Sequence, residues 1–564
     1  MEKRILFLII FCLSSFLSCK KDSKLSQHVG NSKITFTVFG LQPNKVVNIG
    51  PKLSTDKQHI RSSQPIAYTR IIPVGDLEYE VILQAETEQP VLEKRASIGK
   101  ARKKGEAKPM QQGFKYNIVL YETDQDGKAT TFFAQAMGEI GKPLEIGAFR
   151  NKRYKWFAYS FNNNTDLPAF NASDPQIAVQ ATNSTTGNDF LYATGYIQTA
   201  PDLQAENNIA ITFERKTANV RLSLNTRGIF SAIKGASLAI ASDDAGLSDG
   251  AFSLLEDKFV NITPAPLINN QEWRSQVADT IPNDWVKYAD FATVTPNRPI
   301  KLKVSLRDLV IISQQIDGST PYQIFEIDRL MPNTAFELPE FVPETGKQYR
   351  LDIRLRESPI LINQVQWARA NLFYMATSKG NAYRFRYDNT YFRNQAGGIQ
   401  HIKNSDYWHG GLKPGDPPFT NADPCQEVYP KGLWRLPGYM DYLLLIASAD
   451  NPNERVNQPG NDGWFVKWSN TDVSGSHHYP TPDLLFTALG YRDSNQVIQG
   501  FNYEAGNTNI GLNVKYGDEG YYRTNDPTMY FTMKYRSSII DPFLLIALNE
   551  FTDGRGASIR CVRK

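Results

Sequence analysis

Apolar and polar residues alternate in short runs through the first 357 residues of the chain. Lys33–Phe39 (KITFTVF) has period two and stops at Gly40, the pattern of a half-buried β-strand. Glu78–Gln84 and Lys115–Tyr121 alternate likewise, the latter running into the turn Asp124–Gly127. Arg153–Phe161, Asp189–Gly195 and a long strand pair across Ile209–Leu224 continue the series. No helical stripe longer than about ten residues interrupts it before position 435, and Pro and Asn punctuate most gaps. Strands spaced this way predict a β-sandwich over residues 33–217.

A second strand set runs over 218–358, with Ala236–Ile240, Lys301–Leu306 and Gln348–Leu355 as its clearest members. Glu344–Gly346 turns the chain into the last of these, and Ser358-Pro359 breaks the pattern, so a boundary is expected there. Beyond it, over 359–564, aromatic and Gly/Asn density rises. Five of the eight Trp (Trp367, Trp408, Trp434, Trp464 and Trp468) fall in this last third. Met440–Ala449 is the one short helix expected, with Leu443, Leu444 and Ala447 on its apolar face.

The N-terminus reads as an address. Glu2-Lys3-Arg4 precedes a fourteen-residue apolar stretch, Ile5–Ser18. A bilayer-spanning helix needs about 20 apolar residues, so this length suits a secretory signal over 1–18. Phe16-Leu17-Ser18-Cys19 resembles the bacterial lipobox, which implies lipidation of Cys19, a polar tether over 19–32 and an outer-membrane lipoprotein exported to the cell surface. Several acyl chains at about 0.8 kcal/mol per buried CH₂ make such an anchor effectively permanent. With Cys12 in the signal and Cys19 lipidated, Cys425 and Cys561 remain. Two thiols in an oxidising compartment either form one bridge or stay as buried free thiols. A bridge would close a long loop, stabilising by about 4–5 kcal/mol in the chain-entropy account.

Composition narrows the function. A net charge of +4 over 564 residues gives no nucleic-acid footprint. Six His and four Cys leave little material for a metal enzyme, and no Walker loop, HExxH or nucleophile motif is present. The reading is therefore non-enzymatic, with no cofactor and no metal. His477-His478 reads as a pair of exposed loop histidines. The basic stretch Lys94–Lys108 reads as a solvated hairpin tip, with a contact for an acidic surface or a protease-sensitive site as the alternative.

Three features converge on a known family. The lipobox, the run Asn188–Gly195 leading to Ile211–Leu222, and the closing Gly346–Ile353 together resemble the fimbrillins, lipoprotein-exported pilins of Bacteroidia. The resemblance covers roughly residues 30–357 and implies two tandem transthyretin-like β-sandwich domains. The last third resembles a different module. Val365–Leu372, Asp423–Pro437, Leu485–Tyr491 and Gly556–Val562 follow the order of the Fibrobacter major paralogous domain, a mixed α+β, C-type-lectin-like fold. The middle motif departs from that domain's CPxGWRLP in having Gln426 for Pro and extra residues. The fold expected is thus mostly β, with two sandwiches followed by a lectin-like module.

These resemblances imply a surface-anchored or fimbria-incorporated subunit, at the tip, serving adhesion and biofilm formation. Its partners would be other fimbrial subunits, through donor-strand exchange, and a host protein or glycan or a partner bacterium's surface. Fimbrillin-type pilins mature by cleavage after a basic residue. Arg70 is favoured over Arg61, because Pro73 keeps the following segment extended. The expected Cys425–Cys561 bridge would staple the WRLP segment to the last strand. Asp462, Trp464, Trp468 and Asp472 mix aromatic faces with carboxylates and are candidate ligand-binding residues, unless the tryptophans belong to the core. A glycan-capturing surface lipoprotein of a nutrient-uptake system is the alternative reading.

Overall fold

The structure is a computed structural model. It describes residues 30–42, 68–74, 77–85, 107–180, 189–202, 205–241, 247–265, 273–276, 281, 284–316, 324–338, 340–376, 380–385, 407–418, 422–447, 456–457, 464–468, 477–478, 484–487, 490–495, 498–499, 519–536 and 543–564. Cys19, Arg61, Asp462, Asp472 and most of the basic stretch lie outside the described residues. The protein is mostly β.

The first strands are β1 (Ser32–Leu41), β2 (Tyr68–Val74), β3 (Leu77–Ala85), β4 (Lys115–Thr123), β5 (Ala129–Glu139), β6 (Leu144–Ala148), β7 (Arg153–Ser160), β8 (Gln176–Val179), β9 (Leu191–Gln198) and β10 (Asn207–Arg215). Seven of them form one sheet in the order β5-β4-β7-β9-β10-β1-β6. Its strands β4 and β7 are buried on both faces rather than one. In β4, Tyr116, Ile118 and Leu120 join Ile34, Phe36, Trp156 and Ile211 in one core. Val119 and Tyr121 join Phe157, Tyr159 and Tyr192 in a second core on the opposite face. Continuous burial, not the alternation expected for Lys115–Tyr121, therefore governs β4, whose Ile118–Tyr121 is an unbroken apolar run.

The remaining strands of the two sandwiches are β11 (Ala218–Gly228), β12 (Ile233–Ala241), β13 (Ser248–Ser253), β14 (Lys258–Pro264), β15 (Arg274–Ser275), β16 (Val286–Thr293), β17 (Lys303–Ile316), β18 (Ile324–Leu330), β19 (Thr334–Glu337) and β20 (Gln348–Glu357). A six-stranded sheet, β15-β16-β11-β20-β3-β2, faces β12-β17-β18 with β19 alongside β17. Val220, Leu222, Leu224, Leu351 and Ile353 from the first meet Val304, Leu306 and Phe336 from the second across one core.

Two expectations about strand partners are corrected. Glu78–Gln84, grouped by sequence with the first strand set, lies in β3 and pairs with β20 in the second sheet. Leu77, Tyr79, Val81 and Leu83 face that core, while Glu78 and Glu80 on the other face meet Arg356 and Arg354 of β20. The strand pair expected across Ile209–Leu224 does not form: β10 pairs with β1 and β9, and β11 with β16 and β20. The chain crosses between sheets at buried Thr217, whose carbonyl accepts from Gly346 N at 3.0 Å. In return β13, from the second strand set, pairs with β8 and packs Phe252 on Phe190 and Tyr192, at 4.9 and 4.8 Å between ring centroids. The two sandwiches thus exchange strands.

The last third is loop-rich. Ile360–Ile362, Val365–Trp367, Val562–Arg563 and Trp434–Arg435 make a small sheet beside α1 (Tyr439–Ile446). Asp441 caps this helix by accepting from Gly438 N at 2.6 Å and pairs with Arg435. The helix buries Tyr442 and Leu445, not the expected Leu443, Leu444 and Ala447. The Tyr442 ring stacks on Phe531 at 4.6 Å, and this contact turns the helix so that Leu444 faces outward. His477-His478 forms a strand pairing with Gln315 and Ile316 at the end of β17, not the free loop expected.

Candidate functional site: a strand slot and a held C-terminal module

β1 lies inside the first sheet although it is separated in sequence from every strand it touches. It runs parallel to β10, Ile34 opposite Asn207 through Leu41 opposite Phe213, and antiparallel to β6. Ile34 and Phe36 are fully buried, and Phe36 meets Trp156 edge to face at 6.2 Å between centroids. Burying two such side chains contributes on the order of 3–6 kcal/mol. A β-bulge follows Val38, after which Leu41 returns to the core and exchanges two 2.8 Å backbone hydrogen bonds with Lys108.

Both ends of β1 are tightly bounded. Asn207, buried at the start of β10, accepts from Ala200 N at 3.0 Å. Its amide donates to the Lys33 carbonyl at 2.9 Å and to Ser32 Oγ at 3.1 Å. A polar cleft of 690 Å³ opens beside this end, lined by Asn31, Lys33, Glu145, Glu206 and Asn208. At the other end Gly40 has φ +148°, and a Cβ there would fall 2.2 Å from the Lys108 carbonyl oxygen. Sequence reasoning named β1 but missed Asn207, whose type and position carry no local signal.

Arg70 sits in β2, the exposed edge strand of the second sheet, opposite Val81. Pro73 lies in the same strand, a place where a missing N–H is tolerated.

In the C-terminal module, Cys425 and Cys561 form a disulfide, with Cα atoms 5.8 Å apart, among Trp408, Trp434, Leu436 and Ile559. Trp464 and Trp468 bound a strand that pairs with Leu484–Thr487. Among the described residues, no group of three or more His, Cys, Asp or Glu is placed to hold a metal ion. No described helix is long and apolar enough to cross a membrane.

The module is seated on the second sandwich. Arg563 donates to both carboxylate oxygens of Glu78 at 3.0 Å and to the Glu357 carbonyl at 2.7 Å. Glu78 also accepts from Arg356 at 2.8 Å, and all three side chains are nearly buried. Burial lowers the Arg563 pKa, against which the Glu78 hydrogen bond works. Arg227 stacks over the Tyr429 ring at 4.2 Å, Tyr429 accepts from Asn225 at 2.7 Å, and Phe230 packs edge to face on Phe385. Burial raises the Tyr429 pKa, so this phenol stays neutral. None of these contacts was anticipated from sequence.

No protein-family model matches the chain, and no curated protein matches it. Solved structures similar to it include candidate adhesion proteins, a candidate polysaccharide-binding protein and fimbrial proteins from Bacteroides and Porphyromonas. One is a candidate cell-adhesion protein of Bacteroides ovatus, 15% identical, with a TM-score of 0.27 over 42% of this chain and 81% of that one. A second is the fimbrial anchor protein Mfa2 of Porphyromonas gingivalis, 11% identical, with a TM-score of 0.21 over 35% and 71%. A third is a fimbrilin of Porphyromonas gingivalis, 9% identical, with a TM-score of 0.22 over 46% and 95%. At these values the likenesses carry no argument about what this chain does.

Proposed function

We propose that this chain is a non-enzymatic subunit of a cell-surface fimbria, placed at its tip. It accepts a strand from a neighbouring subunit and presents the C-terminal module for adhesion to a host protein or glycan or to another bacterium. The observation that carries this reading is the opposite treatment of its first and last described strands. β1 is held by backbone pairing, apolar contacts and a few polar contacts from Asn207 and Glu145, with no disulfide tie among the described residues, so its removal would leave a slot between β10 and β6. An unfilled slot exposes two sheet edges and an apolar core, which favours uptake of another strand. Val562–Arg563, by contrast, pairs inside its own module, next to a disulfide and a buried ion pair. A strand held in this way cannot leave to fill a neighbour without unfolding its domain.

Export as a Cys19 lipoprotein and cleavage after Arg70 or Arg61 are the steps that would deliver such a subunit. Asp462, Trp464, Trp468 and Asp472 remain its candidate ligand contacts. Immunogold labelling of native fimbriae with an antibody to the chain tests the placement. Label confined to filament ends is expected. Label along the shaft would overturn it.

A further inference from the structure

We propose that the slot between β10 and β6 reads the register and direction of its occupant, an extended strand of a neighbouring subunit. That strand runs parallel to β10 with the pattern hydroxyl–x–apolar–x–aromatic–x–apolar–x–glycine. The inference rests on the strand-accepting reading above and specifies the partner's chemistry.

β1 is the template, because its own side chains show what the walls admit. The three inward positions are unequal: Ile34 and Phe36 are fully buried, Phe36 against the edge of Trp156, whereas Val38 is half-buried. An incoming strand shifted by one residue would turn its apolar side chains to the wrong face. A shift by two keeps the faces but moves the end positions, and both ends are selective.

At the first end Asn207 is already anchored by Ala200 N, so its amide is oriented before any strand arrives. It offers hydrogens to one backbone carbonyl, now that of Lys33, and to one hydroxyl, now that of Ser32. The carbonyl bond asks nothing of sequence. The hydroxyl contact favours Ser or Thr two residues before the first apolar position. Just before it, a Cβ at Gly30 would meet the Ala148 carbonyl oxygen at 2.0 Å. Six residues after Ile34, Gly40 holds a positive φ against the Lys108 carbonyl, where any Cβ forces the wall apart. The two ends therefore differ, one polar and one steric. A reversed strand would bring its glycine to Asn207 and its serine, with a Cβ, against Lys108.

The test uses the full chain with a protease recognition sequence inserted between residues 50 and 51. After cutting, labelled peptides of residues 30–42 are supplied in excess and their uptake is measured by fluorescence anisotropy. The native peptide is expected to enter. A Gly40→Val peptide and one of reversed sequence are expected to bind at least tenfold less. Asn207→Ala in the chain should shrink the preference for the native peptide over a Ser32→Val peptide. Equal uptake of native, Gly40→Val and reversed peptides would overturn the register proposal while leaving strand acceptance standing. Failure of every peptide to enter would overturn strand acceptance itself.

Discussion

Arg563 and Glu78, 485 residues apart in sequence, form a buried ion pair in which one guanidinium nitrogen lies 3.0 Å from both carboxylate oxygens. The pair joins the last strand of the C-terminal module to β3 of the second sandwich. Glu78 is shared with Arg356, so its loss leaves the buried Arg563 without its carboxylate and Arg356 with Glu80 alone, whereas loss of Arg563 leaves Glu78 still paired with Arg356. Breaking a buried pair by removing one partner costs about 3–5 kcal/mol. Glu78→Ala should therefore lower stability by about that much, and Arg563→Ala by distinctly less. Chemical denaturation followed by Trp fluorescence, with limited proteolysis between residues 357 and 365, checks the order. Equal effects would show that the shared carboxylate is not the centre of the junction.

Cys425 and Cys561 are 136 residues apart. In the chain-entropy account a bridge over such a loop stabilises by about 4–5 kcal/mol. Non-reducing peptide mapping should recover the linked pair, and Cys561→Ser should lower the unfolding midpoint of the C-terminal module. Two alkylatable thiols in the native protein would refute the bridge.

The alternation of Ile34, Phe36 and Val38, or of Tyr79, Val81 and Leu83, was enough to place strands and their apolar faces. It could not place partners, because period two says which side is buried and nothing about what lies beside the strand. For β3 the missing signal was on the polar face: Glu78 and Glu80 match Arg356 and Arg354 of β20, a complementarity visible only once the two strands are aligned. Helix α1 shows another limit. Counting only aliphatic residues selected Leu443 and Leu444, but Tyr442 is the larger apolar surface and the stack on Phe531 sets the helix rotation. The slot was legible as a strand and illegible as a site, since Asn207, Gly30 and Gly40 act through distant backbone atoms.

Tyr116 has no exposed surface, its hydroxyl has no hydrogen-bond partner among the described residues, and burial pushes its pKa up to about 12. A phenol that ionises near pH 10 when unfolded and near 12 when folded stabilises fully below pH 10. That contribution is lost as pH rises from 10 through 12, because only the unfolded state ionises readily. Tyr116→Phe should change stability at pH 7 by less than about 1 kcal/mol and make the protein more resistant to unfolding between pH 10 and 12. Tyr159→Phe should behave differently, since it leaves the buried Asn117 amide, now 2.9 Å from the Tyr159 hydroxyl, without that partner. Urea titrations at pH 7 and 11 compare the two. A Tyr116→Phe variant no more alkali-resistant than the parent would refute the burial argument.

Lipidation at Cys19 is expected from the residues that precede it. Cys19→Ala should abolish incorporation of labelled palmitate and leave the chain unprocessed or periplasmic. Normal surface display of that variant would end the lipoprotein reading.

Cleavage after Arg70 would act on an edge strand, where the chain is already extended and one side of its backbone is open to a protease. The cut would remove the Tyr68–Arg70 half of the β2–β3 ladder and leave Ile71–Val74 paired with Leu77–Glu80. The second sandwich should survive it, because β3 stays bound to β20 along its whole length and to Arg563 through Glu78. The first sandwich would lose the covalent link that retains β1, which is the requirement for strand exchange. The mature protein in isolated fimbriae should therefore begin at Ile71 by N-terminal sequencing, and Arg70→Ala should keep β1 attached and reduce incorporation. A start at Ser62 would move the cut to Arg61 and preserve the mechanism, whereas a start at Cys19 in assembled fimbriae would rule out release of β1 altogether.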